Sequence, residues 1–586
     1  MTSKWESIMP TTTTIGEGFG GPALPEPETN GLPDVATLTR WANQFFAHVP
    51  GAEEAPRDFS SQAPAAARPP TASPPAGIPP SAAPAPAAVA TADFPAQAPF
   101  PSFASLSDAI LPRLQASDLT FPSMPAAPTL FGAIPSAAAP PAAFNAIPTA
   151  VPPIGSVPSF YFLESAQVPK VPVAAHPAFD VRTIRRDFPI LATRVNGRPL
   201  VWFDNGATTQ KPAAVIERLS YFYRNENSNI HRAAHELAAR ATDAYEGSRR
   251  QIQRFLGAAA PEEIVFVRGA TEAINLVAQS WGRANVGAGD DIIISHLEHH
   301  ANIVPWQHLA IERGASLKVI PVDSTGQIDL FQFQRLLSDR TKIVSITHVS
   351  NALGTITPVK EMVELAHRAG AVALVDGAQS VPHTPIDVQA LGADFFVLSG
   401  HKLFGPTGIG VLYGRQSILE NMPPWQGGGN MIEDVTFEKT RYQRPPWRFE
   451  AGTGNIADAV GLGAAVEYLN TIGMANIEQY EHGLLEYATK HLLTIPRLHL
   501  IGTAAHKASV LSFVIEGLEP TAIGSALNEE GIAVRAGHHC AQPILRRFGH
   551  ESTVRATLAF YNTSEEIDTF IAALRSIVVS SLRAQR

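Results

Sequence analysis

Cysteine is all but missing from these 586 residues: there is one, Cys540. A single thiol excludes an intramolecular disulfide framework and suits a reducing, cytoplasmic compartment. A dominant charge is lacking too. Lys and Arg number 44 against 53 Asp and Glu, a net −9 spread over a long chain, so no basic face points to nucleic acid. No apolar run of about 18 residues free of proline and charge occurs, so no membrane-spanning segment is expected. The opening MTSKWESIMPTTTT has one early lysine and no apolar run behind it, unlike a secretory signal. There is no HExxH, and His299 and His300 have no third ligand at a regular spacing, so no metal site is expected.

Proline, by contrast, is plentiful and uneven: of 50, 33 fall in residues 1–180. Stretches such as SQAPAAARPPTASPPAGIPPSAAPAPAAVA bury too little apolar area to offset chain entropy. They predict a disordered, polyproline-like tether over residues 1–176. Three apolar islands interrupt it, at about 33–51, 100–114 and 156–165. In the first, Leu38, Trp41, Ala42, Phe45 and Phe46 follow helical spacing behind Asp34, a suitable cap. The others are FPSFASLSDAILPRL and SVPSFYFLES. Such islands read either as short docking motifs for a partner's groove or as stray hydrophobes in a solvated tail.

From residue 177 the pattern changes. The runs EEIVFV, DIIIS, SLKVIPV, KIVSITHVS, AVALVDGAQS, ADFFVLSG and GIGVLYG are short, apolar and β-rich, with helical patterns between them. They predict an α/β fold around a parallel or mixed sheet with buried strands. SVLSFVIEG and GIAVRAG add strands near the end. A large domain over about 206–462 is therefore expected, with a smaller one from about 177–205 plus 463–586.

Several strand ends carry chemistry. ADFFVLSGHKLFGP delivers Lys402 from a strand into a tight turn. Desolvated there, its amine becomes able to form a Schiff base with an aldehyde. Asp376 ends AVALVD one αβ repeat earlier, at the sheet edge where open α/β sheets bind ligands. A carboxylate there suits the ring nitrogen of pyridoxal phosphate, and Gln379 is within reach of the ring hydroxyl. In EEIVFVRGATEAINL a glycine is followed by Ala270-Thr271 opening a helix, a phosphate-binding arrangement. His299, in SHLEHHANIVPW, lies between strand and helix, where an imidazole can stack on a cofactor ring. Taken alone, each has a plainer reading: a solvated lysine, a helix-capping aspartate, an ordinary helix start.

Together they resemble fold-type I pyridoxal-phosphate enzymes and, more narrowly, the Suf-type (group II) cysteine desulfurase/selenocysteine lyase family. The resemblance runs over about residues 180–580. It is carried, in order, by NGATTQKP, NIHRAAHELA, FVRGATEAINLVAQSWG, EHHANIVPWQ, ITHVSNALGT, LVDGAQS, LSGHKLFGPTGIGVLY, WRFEAGTGN and VRAGHHCAQP. It implies that Lys402 carries the cofactor, that Asp376 pairs with its ring nitrogen and Gln379 with its phenolic oxygen, and that His299 stacks on its face. It implies phosphate contacts from Thr271, Ser399 and His401, with Thr453 reaching over from the second subunit of a homodimer. Arg555 would bind the substrate carboxylate, assisted by Asn351. Two positions depart from the family's usual residues: Gly454 stands where proline is common, and Ala536 where threonine is.

The implied reaction converts L-cysteine to L-alanine and leaves a persulfide on Cys540, from which an acceptor protein can take the sulfur. Which base activates the thiol stays open, with His538 and His539 adjacent. A selenocysteine lyase is the alternative activity. A structural thiol or a metal ligand would use Cys540 differently. The tail resembles extensions that load some desulfurases into an encapsulin protein nanocompartment, against the plainer reading of a spacer. Its islands would then bind the shell with combined strength.

Overall fold

The computed structural model describes residues 179–231 and 235–584. The tether and its three apolar islands lie outside the described residues. Seven strands form the principal sheet: β1 (Ile264–Val267), β2 (Asp291–Ser295), β3 (Ser316–Ile320), β4 (Thr341–Thr347), β5 (Val372–Asp376), β6 (Phe395–Ser399) and β7 (Gly410–Gly414). Their order is β1-β7-β6-β5-β4-β2-β3. Pairing is parallel from β3 through β6, and β7 runs antiparallel to both of its neighbours. The sheet is therefore mixed, with a parallel majority.

Successive residues of these strands enter different cores. Ile293, Val344, Val375, Phe396 and Val411 pack into one apolar cluster, whereas Ile292, Ile343, Leu374, Phe395 and Leu412 pack into another. That alternation is the two-residue period of a strand covered on both faces, and it explains why these segments read as unbroken apolar runs. Helices α1 (Ala213–Asn225), α2 (Glu236–Phe255) and α4 (Ile456–Ile472) contribute buried residues to the first cluster. Helix α3 (Ala270–Val277) feeds the second.

A four-stranded antiparallel sheet follows in the order β8-β9-β11-β10, formed by β8 (Leu498–Ile501), β9 (Val510–Ile515), β10 (Arg535–Gly537) and β11 (Thr553–Thr557). Helices α5 (Met474–Leu492) and α6 (Ser564–Ala584) pack against it through Leu484, Leu485, Phe570 and Leu574. The segment GIAVRAG, expected as one strand, is divided. Ile532–Ala533 pairs in parallel with Val201–Trp202, and only Arg535–Gly537 joins the four-stranded sheet. That pairing fastens the early segment to the late one. Asp204 then bridges to Thr557 at the end of β11, which carries the next residues, Asn205 to Ala207, beside Arg555.

No described helix is long and apolar enough to cross a membrane, and among the described residues no group of three His, Cys, Asp or Glu could hold a metal ion.

Candidate active site

A cavity opens at the carboxyl edge of the parallel strands, where the chain leaves β1, β2, β4, β5 and β6. Each exit delivers one to three of the expected side chains: Thr271 after β1, His299 after β2, Asn351 after β4, Asp376 and Gln379 at β5, and Ser399, His401 and Lys402 at β6. The smaller sheet supplies the opposite wall through Arg555 and Cys540. The segments meeting here are separated by up to 349 residues of sequence, from Gly206 to Arg555, and those of the large sheet converge because its parallel strands all end on one side. Thr453 does not line this cavity. It is exposed in the turn before α4 and borders a separate hollow beside Tyr245 and Glu450.

Asp376 and Lys402 end adjacent strands, as β5 pairs with β6 through Asp376 and Val397. Burial raises the Asp376 carboxyl above its ordinary range, while the Ala378 N–H, 2.9 Å from Oδ1, and the Lys402 charge pull the other way. The turn after Asp376 cannot carry a side chain at Gly377: a Cβ there would lie 2.0 Å from the Phe396 ring. Lys402 follows Ser399 on a single 3₁₀ turn, Gly400–Lys402. Burial brings its amine down to about 8, against the opposing attraction of Asp376. Thr208 Oγ1 (3.0 Å), the Thr209 N–H (3.1 Å) and Lys211 Nζ (2.9 Å) all converge on the His401 carbonyl next door, so this turn is held from beneath.

The N-terminus of α3 meets β6 closely. The Ala270 N–H donates to Ser399 Oγ at 2.9 Å. A Cβ on Gly410 would come within 2.5 Å of the Gly269 Cα, so glycine at both positions lets β7 pass beneath the turn. Exposed N–H groups at the start of this helix, the Thr271 hydroxyl and Ser399 together form an anion-binding corner. His401 beside it is neutral, brought to about 4 by burial and then by Lys402 and Lys211.

His299 Nδ1 accepts from the Ala301 N–H at 3.0 Å. That fixes Nδ1 as the unprotonated nitrogen. Burial brings the ring to about 3, with Lys402 contributing, so it stays neutral at physiological pH.

On the opposite wall, Arg555 is 2% exposed. Its Nη1 donates to the Asn351 carbonyl at 2.8 Å and its Nη2 to Asp204 at 3.3 Å, whereas Nε has no partner. Gly206 lets this group approach, since a Cβ there would stand 3.1 Å from the guanidinium carbon. Asn351 also donates from Nδ2 to the His539 carbonyl at 2.6 Å. Cys540 is half-buried and free, facing the cavity.

Four buried polar atoms of cavity residues lack any partner: Arg555 Nε, Asn351 Oδ1, Gln379 Oε1 and His539 Nδ1. Buried polar groups are rarely left orphaned. Together with a desolvated lysine, a buried carboxylate and an anion corner, they fit a polar, anionic, multiply hydrogen-bonded ligand such as pyridoxal phosphate.

Some cavity residues were not assigned from sequence. Arg535 lies directly opposite Arg555 in the β10–β11 register, so two guanidinium groups face one wall. The quoted VRAGHHC contains it, but only the register reveals its position. Outside the cavity lining, Lys211, in ATTQKP, donates to the His401 carbonyl, and the buried Glu298, directly before His299, accepts from the Thr347 N–H.

Residues 201–570 match the aminotransferase class-V family. The chain is 68% identical over 424 residues to a cysteine desulfurase of Synechococcus elongatus, covering 72% of this chain and 68% of that one. It is 52% identical over 400 residues to a cysteine desulfurase of Klebsiella pneumoniae, covering 68% of this chain and 98% of that one. Among solved structures, the cysteine desulfurase CsdA (S-sulfonic acid) from Escherichia coli superposes with a TM-score of 0.64 at 38% identity, over 69% of this chain and 99% of that one. The chain belongs to the aminotransferase class-V family and, within it, to the cysteine desulfurases.

Proposed function

We propose that this chain is a pyridoxal-phosphate-dependent cysteine desulfurase in which Cys540 takes the sulfur of L-cysteine and L-alanine leaves. The observation that carries this reading is the convergence of Lys402, Asp376, Arg555 and the sole thiol on one cavity.

Lys402 would hold the cofactor, with Asp376 at its ring nitrogen, Gln379 at its phenolic oxygen, His299 against its face, and Thr271, Ser399 and His401 around its phosphate. Bound there, the cofactor supplies an electron sink for the bonds at the substrate Cα. The chain's own groups do the rest. Arg555 takes the substrate carboxylate through its planar fork, its free Nε pointing to capacity for a further acceptor, and Asn351 keeps that fork in place. Lys402, with its pKa near 8, can take the Cα proton and later return it to the product carbon. Cys540 as thiolate attacks the substrate sulfur: the new S–S bond forms as the C–S bond breaks, giving a persulfide on Cys540. His539 is a poor base for that thiol, because burial brings its ring to about 2 and Nε2 is engaged with Thr553 Oγ1 at 2.8 Å.

Finer readings follow from the same proposal. Thr453, outside its own chain's cavity, would complete the phosphate site of a second copy in a homodimer. A sulfur-acceptor protein would collect the persulfide. Residues 1–176 would carry the enzyme into an encapsulin nanocompartment in the cytoplasm. A fluorescent protein fused to residues 1–176 tests the last: failure to co-purify with a shell removes it.

The purified protein tests the main reading. Borohydride should fix the cofactor to the Lys402 peptide, and cysteine should change the visible spectrum and yield alanine. A colourless protein that cannot be loaded with pyridoxal phosphate would overturn it. A selenocysteine lyase would instead keep its activity on selenocysteine after Cys540→Ala.

A further inference from the structure

The loop that carries the thiol is held in an unfavourable shape. His539 and Cys540 both have left-handed backbones, with φ of 53° and 55°. Side-chain-bearing residues are strained there and persist only where the surroundings over-determine them. Two restraints come from residues already placed at the site: Asn351 on the His539 carbonyl and Thr553 on the His539 ring. The others come from His300. Its N–H donates to the Cys540 carbonyl at 2.8 Å. Its Nε2 accepts from the Gln542 N–H at 3.4 Å, a long contact. Its ring stacks on His538, with centroids 5.7 Å apart and planes 29° from parallel. His538 in turn accepts the Cys540 N–H at Nδ1, 3.0 Å away.

His300 stands on a firm base. It opens a 3₁₀ turn, His300–Asn302, capped by His299, and the residue before His299 is the fully buried Glu298. Glu298 accepts from Ser295 Oγ on β2 (2.5 Å), from the Thr347 N–H on β4 (3.0 Å) and from Asn302 Nδ2 (2.6 Å). Asn302 Oδ1 is engaged by Trp306 Nε1 and Ser345 Oγ, which fixes its amide orientation. The turn is thus bonded to two strands of the large sheet. His300 itself does not line the cavity, although His299 and Ala301 do. It reaches the chemistry only through the loop.

We propose that His300 is a positioning residue for sulfur transfer: its ring docks the Cys540 loop onto the turn after β2 and holds the thiol at the cavity. This rests on the desulfurase reading for its activity readout, but the docking itself can be tested without it. His300→Ala keeps the backbone bond to Cys540 and removes the ring's two contacts. His300→Gln retains an acceptor for the Gln542 N–H. Because Cys540 is the only cysteine, a thiol reagent reports on this loop alone.

The experiment uses the full-length holoenzyme and three readouts: the rate of iodoacetamide alkylation, kcat and KM for alanine formation from cysteine, and cofactor absorbance with and without cysteine. Loss of a weak hydrogen bond and a ring contact predicts that His300→Ala alkylates about five- to tenfold faster and loses a similar factor in kcat. KM, cofactor absorbance and its response to cysteine should stay within about twofold, and His300→Gln should recover part of the loss. Unchanged alkylation and kcat in His300→Ala would overturn the proposal. So would loss of cofactor absorbance in step with kcat, since that would put His300 at the cofactor or in general stability. If the wild-type protein made no alanine yet His300→Ala still alkylated faster, the desulfurase reading would fail and the docking would stand.

Discussion

Arg555 donates from Nη1 to the backbone carbonyl of Asn351, 2.8 Å away. This bond joins the antiparallel sheet to the loop after β4 of the large sheet. The same Asn351 holds the thiol loop through the His539 carbonyl, so the carboxylate-binding group and the nucleophile share one anchor.

Arg555→Lys should separate binding from folding. Lysine keeps the positive charge but cannot span Asp204, Asn351 and a substrate carboxylate with one planar group. KM for cysteine should rise at least about tenfold, the loss of one charge-assisted hydrogen bond. The absorbance of bound cofactor should survive. Steady-state kinetics beside a visible spectrum checks both.

Lys402 should cost stability where it serves chemistry. Its folded pKa of about 8 lies below the ordinary lysine value of 10.5, so between these values the unfolded chain binds more protons than the folded one. Stability therefore rises with pH across that window, and the full cost applies below pH 8. Lys402→Met in cofactor-free protein should be more stable by about 3 kcal/mol at pH 7. The gain should shrink above pH 8 and vanish near pH 10.5. Urea unfolding at a series of pH values measures this, and a gain independent of pH would contradict it.

Gly377→Ala should disturb the turn after Asp376. The new methyl would sit 2.0 Å from the Phe396 ring in a closed core, so strand or ring must shift. Overpacking of this kind costs about 1–3 kcal/mol. A lowered unfolding midpoint with weakened cofactor retention is expected, whereas Gly427→Ala, where no atom lies within 4 Å, should leave the midpoint unchanged.

The part of this site that could be read in the sequence is the part written at strand ends. Asp376 ends an apolar run, Lys402 and Thr271 come within four residues of the end of theirs, and a parallel sheet brings such ends together. One αβ repeat between Asp376 and Lys402 is compatible with the adjacency of β5 and β6, but does not dictate it: β3 and β4, also one repeat apart, are separated by β2. The opposite wall was harder to read without the family resemblance. Arg535 faces Arg555 only because of an antiparallel register, and GIAVRAG divides because its first half pairs with Val201–Trp202, about 330 residues earlier. His300 gave no signal beyond its neighbour. Its role depends on a loop 240 residues away folding back with left-handed φ at two residues that do not favour it.

Mass spectrometry of Cys540 after exposure to L-cysteine tests the central claim most directly. The account predicts one additional sulfur on the Cys540 peptide, formed together with one alanine. In Cys540→Ala it predicts no sulfide release from cysteine, while the cofactor spectrum still responds to substrate. Full alanine and sulfide release by Cys540→Ala would contradict it.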